Sequence, residues 1–322
     1  MSAGWKFEVI HKTIQEAENQ LSVSMLCDIA GVSRSGYYRW VASGTIREER
    51  EQKDRADFSL ILKAYHQRGY SKGARGIYMC MIHWNPPVVM NLKKIRRLMN
   101  KYGLVCPVRK ENPYRRMSKA LKTNHVAENI LNRNFKEYGP RKVLLTDITY
   151  IPYHETFAYL STILDAYTKQ VLSYVLSDSL EVDFVLETVQ KLIKNHGIES
   201  TKETLIHSDQ GCHYTSTRFI QLVQDKELRQ SMSRKGNCWD NAPQESFFGH
   251  MKDEIDVSNC TKYREVKAII EDWIDYYNNE RYQWELGRLS PNEYYNYITT
   301  GIYPLKGIVN ENREEHIFPT TE

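Results

Sequence analysis

The hydrophobic periodicity of this 322-residue chain changes once, near residue 142, and that change points to two differently built parts. Before it, apolar residues recur at the three-and-four spacing of amphipathic helices. After it, stretches of alternating character are interleaved with helical ones. Lys142 to Pro152 sets Val143, Leu145, Asp147, Thr149 and Ile151 on one face and Leu144, Ile148 and Tyr150 on the other. Apolar residues on both faces predict a central strand covered on both sides. Two more strands, Phe157 to Leu164 and Val171 to Ser177, follow across short polar turns. A helix from Glu181 to His196 then buries Val182, Val185, Leu186, Val189, Leu192 and Ile193 and stops at Gly197. A strand from Thr204 to His207, a helix over about 216–226 and a strand from Arg229 to Met232 come next. A helix from Ala242, with Pro243 in its first turn, completes an α/β order.

The part before residue 142 reads as helical throughout. Residues 6–19 carry Phe7, Ile10, Ile14 and Ala17 on one stripe. Val23 to Ala30 forms a short helix ending at Gly31, which suits a left-handed cap. A third helix starts after Ser33 as N-cap and bears Arg34, Tyr37, Tyr38, Arg39 and Trp40. Two short helices joined at a glycine, the second bearing Arg and aromatic residues, follow the helix-turn-helix plan, with Arg34, Tyr37 and Arg39 as candidate DNA contacts. The competing reading is a plain three-helix packing unit in which Tyr38 and Trp40 are core.

The stretch from Thr45 to Asp57 alternates charges and reads as an exposed helix or linker. Beyond it Phe58, Ile61, Leu62 and Tyr65 form an apolar stripe that Gly69 ends. A helix from Ala74 to Ile82 precedes the Pro86-Pro87 break, and Val89 to Tyr102 is helical up to Gly103. Lys93, Lys94, Arg96 and Arg97 group along this last helix, which resembles a second helix-turn-helix with a phosphate-contacting face. Residues 107–124, with Arg115 and Arg116 among six Lys and Arg, read as a basic linker ordered on DNA.

Charge follows the same division. The chain carries a formal net charge of +4, yet residues 1–124 hold +13 and residues 125–322 hold −9. A basic module that meets a polyanion, joined to a module of different function, is one reading; a solvated basic surface is the other. Hydrophobic residues at 41% exclude global disorder, and no apolar run approaches the roughly 18–20 residues of a membrane span. Six Cys without a CxxC pair indicate neither a disulfide scaffold nor a zinc knuckle. The polar N-terminus lacks the apolar core of a signal peptide, so a cytoplasmic protein is expected.

Three carboxylates stand where this layout gathers them. Asp147 lies mid-strand on the central strand, Asp209 lies just past the fourth strand beside Gly211, and Glu245 lies in the first turns of the last helix, with 35 residues between the second and third. The spacing alone is weak, because acids at strand ends and helix starts also serve turns and the helix dipole. Converging acids suit divalent cations, which favour carboxylate oxygen and can activate an attacking oxygen while stabilising a leaving one at phosphorus. Lys252, two turns beyond Glu245 on the same helix face, would hold DNA beside them. Asp165 reads as a turn residue and His207 as a structural partner of the strand. Trp239 and Asn241, in the loop before the last helix, are candidates for DNA contact or loop packing. The Tyr and Trp residues between 273 and 297 read as core or subunit contact.

The words around the three acids carry a resemblance. Leu145-Thr146-Asp147-Ile148-Thr149-Tyr150, His207-Ser208-Asp209-Gln210-Gly211-Cys212-His213-Tyr214 and Asp240-Asn241-Ala242-Pro243-Gln244-Glu245-Ser246-Phe247-Phe248, followed by Lys252, closely resemble the integrase-core transposases of bacterial insertion sequences. The match is to the second-frame (OrfB) protein of the insertion sequence three family. Val32 to Trp40, Tyr65 to Tyr70, Asn91 to Leu104, Tyr277 to Trp284 and Leu289 to Tyr294 resemble its flanking regions, so the likeness covers about residues 20–297. The resemblance implies an α/β, ribonuclease-H-like integrase core with a mixed five-stranded sheet, preceded by all-α helix-turn-helix domains and followed by a small helical region. It implies domains at 1–45, 53–106, 107–137 (linker), 138–260 (core) and 261–300, with a tail at 301–322.

The resemblance further implies that Asp147, Asp209 and Glu245 form an Asp-Asp-35-Glu triad holding two Mg²⁺, for which Mn²⁺ substitutes, in 3′-end cleavage and strand transfer. The implied partners are double-stranded DNA, both terminal inverted repeats and target, a second copy of the chain, and the first-frame (OrfA) product. A DNA-binding regulator and a ribonuclease-H-like nuclease without strand transfer are the alternatives.

Overall fold

A computed structural model describes residues 2–106, 129, 131, 138–196, 204–233 and 241–308. The chain divides into two compact units, residues 1–63 with 95–104, and residues 64–94 with 105–322. The division cuts through two helices, so the expected domain limits at 45 and 53–106 do not coincide with it.

The first unit opens with α1 (Ala3–Gln15), α2 (Val23–Ala30) and α3 (Arg34–Ala42). Each begins at a serine whose hydroxyl accepts a backbone N–H of the first turn: Ser2 from Trp5, Ser22 from Met25 and Ser33 from Gly36. Gly31 ends α2 at φ 63°, the left-handed position a glycine fills without cost. Ile10, Cys27 and Tyr37 are the buried centre, ringed by Phe7, Ile14, Leu26 and Trp40. The charged stretch expected as exposed helix or linker is the start of one 23-residue helix, α4 (Gly44–His66). Its exposed face carries no apolar stripe, and it is fastened instead to α6 (Leu92–Lys101) by ions. Asp54 takes both Arg97 nitrogens at 2.6 and 2.8 Å, and Lys101 reaches Glu51 at 2.6 Å and Asp54 at 2.7 Å. Ile61, Ile95 and Leu98 fill the seam.

The second unit is built on a five-stranded sheet in the order β3-β2-β1-β4-β5. The strands are β1 (Val143–Tyr153), β2 (Thr156–Asp165), β3 (Val171–Ser177), β4 (Leu205–Ser208) and β5 (Arg229–Met232). β1 is central, antiparallel to β2 and parallel to β4. Both its faces are covered, as its two-sided apolar pattern predicts. On one side α7 (Asp183–His196) and α8 (Thr217–Asp225) pack Phe184, Val185, Val189, Phe219 and Val223 against Leu144, Ile163 and Ile206. On the other, α9 (Ala242–Glu254) and α10 (Tyr263–Asn279) pack Phe247, Met251, Ile270 and Trp273 against Val143, Leu145 and Leu160.

The region after 260 is helical as expected, and its first helix, α10, packs Trp273, Tyr276 and Tyr277 into this core. α5 (Ala74–Ile82) and α11 (Pro291–Thr300) meet in a smaller cluster of Ile82, Leu286, Leu289, Tyr294 and Leu305. Leu305 lies in the segment expected as a tail of unknown order; it packs there with Tyr303 and Ile308, and 309–322 lie outside the described residues.

Candidate active site

The register of the sheet explains why the first two acids meet. β1 and β4 pair in parallel through Leu144 with Ile206 and Leu145 with His207. Two residues further on each strand stand Asp147 and Asp209, at the same end and on the face that α9 covers. Asp209 follows the last residue of β4 and its Oδ1 accepts the Gly211 N–H at 2.9 Å. A Cβ on residue 211 would stand 2.8 Å from that oxygen, so the close approach requires glycine. The third acid comes from the helix on this face. Pro243 sits in the first turn of α9, and Glu245 lies in the same turn, where unpaired N–H groups favour a carboxylate.

The electrostatics record the convergence. Burial pushes the Asp147 carboxyl well above the usual carboxylate range, and the charges of Asp209 and Glu245 push it further. The Ile148 N–H, 2.8 Å from Oδ1, and the Lys252 ammonium oppose the rise. Asp209 is raised as well, by desolvation in the protein around it, against the pull of the Gly211 N–H and His213. Desolvation lowers Lys252 while Asp147 holds it up, which places this cation beside the acids. Tyr214, fully buried behind the site, is raised by burial and by the same two aspartates, its hydroxyl 3.4 Å from Thr146 Oγ1.

The three carboxylates would offer hard oxygen ligands, and the repulsion Asp147 feels is of the kind that a divalent cation relieves. Among the described residues, no three His, Cys, Asp or Glu side chains are drawn together so as to hold a metal ion as they stand. The fit rests on donor chemistry and on the charges Asp147 senses.

The other singled-out residues fall out unevenly. Asp165 is a turn residue, wholly buried and accepting from the Thr168 hydroxyl at 2.6 Å and the Tyr167 N–H at 3.1 Å. His207 is buried between the hydroxyls of Ser231 and Ser233, at 2.9 and 3.0 Å. Asn241 is buried at the start of α9 with neither amide atom hydrogen-bonded, not displayed to solvent. Trp239, Arg115 and Arg116 lie outside the described residues.

In the helical unit Arg34 and Arg39 are exposed on α3, but Tyr37 needs correction. It is 4% exposed, its hydroxyl 3.1 Å from His11 Nδ1, because its position in α3 faces α1 and α2. The exposed aromatic of α3 is its neighbour Tyr38, at 58%. On α6, Lys93 and Arg96 are exposed, Lys94 is half-buried and already engaged, and Arg97 is held by Asp54. Gln244, adjacent to Glu245, is a buried polar residue that pattern reading passes over.

The chain is similar to several known proteins. Residues 122–238 and 226–291 each match an integrase core domain, and residues 51–112 match an HTH-like domain. The chain is 30% identical over 276 residues to an insertion element IS600 31 kDa protein of Shigella sonnei, covering 83% of this chain and 96% of that one. It is 31% identical over 237 residues to the transposase InsK of insertion sequence element IS150 from Escherichia coli strain K12, covering 73% and 81%. Among solved structures, the catalytic core domain of BIV integrase aligns at 17% identity with a TM-score of 0.38, over 50% of this chain and 98% of that chain. Fold and sequence together define an integrase-core protein, a polynucleotidyl transferase of the class that uses two aspartates and a glutamate. Within that class, the chain belongs to the insertion-sequence transposases of the IS3 family.

Proposed function

We propose that this transposase frees a 3′-hydroxyl at the ends of its element and joins it to a second phosphodiester, using Asp147, Asp209 and Glu245 as the ligands of two Mg²⁺ ions. The observation that carries the reading is the charge environment of Asp147, a desolvated carboxylate that senses two further carboxylates and one ammonium. Perturbed carboxylates of this kind cluster at functional sites, and a divalent cation is what relieves their repulsion. Asp147, Asp209 and Glu245 would hold these ions, Mg²⁺ or Mn²⁺, which would supply positive charge for an in-line displacement at phosphorus.

The protein's own groups do the rest. Asp209 is aimed by the Gly211 N–H and Asp147 by the Ile148 N–H, so both carboxylates are oriented before DNA arrives. Lys252 is placed to hold the phosphate next to the reacting one. In hydrolysis a water oxygen forms the new bond to phosphorus and the 3′-oxygen leaves; in joining, that 3′-hydroxyl is the attacker and a target 3′-oxygen leaves. DNA affinity comes from the exposed Arg34, Arg39, Lys93 and Arg96, with Tyr38 in the place first given to Tyr37. The working partners are the terminal inverted repeats, target DNA, a second copy of the chain and the first-frame product, in a bacterial cytoplasm. Among the described residues no helix is long and apolar enough to cross a membrane.

Purified protein incubated in Mg²⁺ with a labelled duplex bearing the element's own end is expected to give both cut and joined products. Cut products without joined ones would make the chain a nuclease. Binding without either would make it a regulator.

A further inference from the structure

Gln244 stands out because it is a poor choice for stability alone. It is wholly buried in the first turn of α9, its Nε2 donates to the Thr162 hydroxyl, and its Oε1 has no hydrogen-bond partner. A Leu or Met of similar size would fill the same space without burying an unpaired carbonyl. Residues whose placement costs stability are commonly held by function, and two neighbours indicate which function.

The first neighbour is Glu245, next in sequence on the same helical turn. The second is Asp147, because Thr162 is its direct partner across the antiparallel pair of β1 and β2. Directly opposed residues of a ladder point to the same face, so the Thr162 hydroxyl and the Asp147 carboxylate share the side that α9 covers. The hydrogen bond between Gln244 and Thr162 therefore ties the turn bearing Glu245 to the strand row bearing Asp147. Phe247, Phe248 and Met251 of α9 add apolar packing against the sheet, which is non-directional and so tolerant of small sliding.

We infer that Gln244 is a positioning residue which, through Thr162, fixes the separation of Glu245 from Asp147 in the catalytic site. The inference rests on the transposase reading above and adds a residue to it. It acts through the geometry of Glu245 rather than by touching DNA or the reacting atoms. Loss of the tie lets the first turn of α9 shift, and a displacement near 1 Å at a reacting centre costs about 100-fold in rate.

The test compares wild type with Gln244→Leu, Thr162→Val, the double variant and Thr162→Ser, which keeps the hydroxyl. The expected result for the first two is a strand-transfer kcat reduced by about 10- to 100-fold. DNA affinity should stay near wild type, while Thr162→Val, which leaves the buried Gln244 amide unpaired, should melt somewhat lower. The double variant should be no worse than either single one, as members of one interaction are not additive. Thr162→Ser should recover most of the rate. Hydrogen exchange without DNA supplies a reading independent of activity: the amides of residues 245–248 should exchange faster in Gln244→Leu and Thr162→Val and normally in Thr162→Ser. If wild type joins DNA and both single variants do so at the wild-type rate, Gln244 has no positioning role. Additive losses in the double variant, or slowed catalysis with unchanged exchange at α9, would overturn the inference equally. If wild type itself neither cuts nor joins, the transposase reading falls first and this one with it.

Discussion

The helical unit and the sheet-based unit treat their charges in opposite ways. In the first, cations are neutralised by the fold: Arg97 and Lys101 converge on Asp54, and Lys101 also takes Glu51. In the second, carboxylates are desolvated with only partial compensation from Lys252 and backbone N–H groups, so that Asp147 and Asp209 both lie above the ordinary carboxylate range. The contrast teaches which charges in a sequence can be read for function. A basic residue on a helix finds an acid four residues away or on the next helix at little cost, so a count of Lys and Arg overstates the surface left for DNA. Like charges gathered at one end of a sheet have no such structural explanation.

The comparison is most sharply broken or sustained by the aromatic pair of α3. Tyr37 belongs to the fold and Tyr38 to the surface. Tyr37→Ala should destabilise the helical unit by about 3–5 kcal/mol, as large-to-small changes at buried aromatics do. Tyr38→Ala should change stability by no more than about 0.5 kcal/mol while weakening DNA binding. Chemical denaturation and an equilibrium DNA titration of both variants check this; the reverse pattern would restore Tyr37 as the contact.

A smaller effect is expected at the acids without metal. Because folding raises the Asp147 and Asp209 carboxyls, the stability they contribute is full below the unfolded value of about 3.9 and is lost as pH rises through the raised folded values. At neutral pH, Asp147→Asn should therefore raise the melting temperature of the metal-free protein by a few degrees. The gain should shrink as pH falls toward the unfolded carboxylate value. Calorimetry over a pH series measures it, and a lower melting temperature at pH 7 would mean that the carboxylate is compensated after all.

Much of this was legible before the structure, and the exceptions have physical causes. β3, β5, α2, α3 and α5 start and stop where alternation, serine caps and glycines predict. The central position of β1 followed from apolar residues on both its faces. α4 was harder, because REEREQKDRAD has no apolar stripe and its partner, α6, lies some 40 residues on. Tyr37 and Tyr38 are adjacent aromatics, and only the packing of α1 and α2 decides which turns inward. Of the aromatic residues between 273 and 297, read as core or subunit contact, Trp273, Tyr276 and Tyr277 are core, buried with Phe247 and Val266. Gln244 left a signal in its place beside Glu245, but its meaning depends on the partner across the sheet, which no local pattern contains.

The central claim is that the three acids act as one metal-dependent centre. Strand transfer in Mg²⁺ measured side by side for wild type, Asp147→Asn, Asp209→Asn and Glu245→Gln tests it most directly. The account predicts that each substitution lowers joining by about 1,000-fold or more, with binding to the element's ends unchanged. Joining at a near-normal rate by any one of the three variants would contradict it.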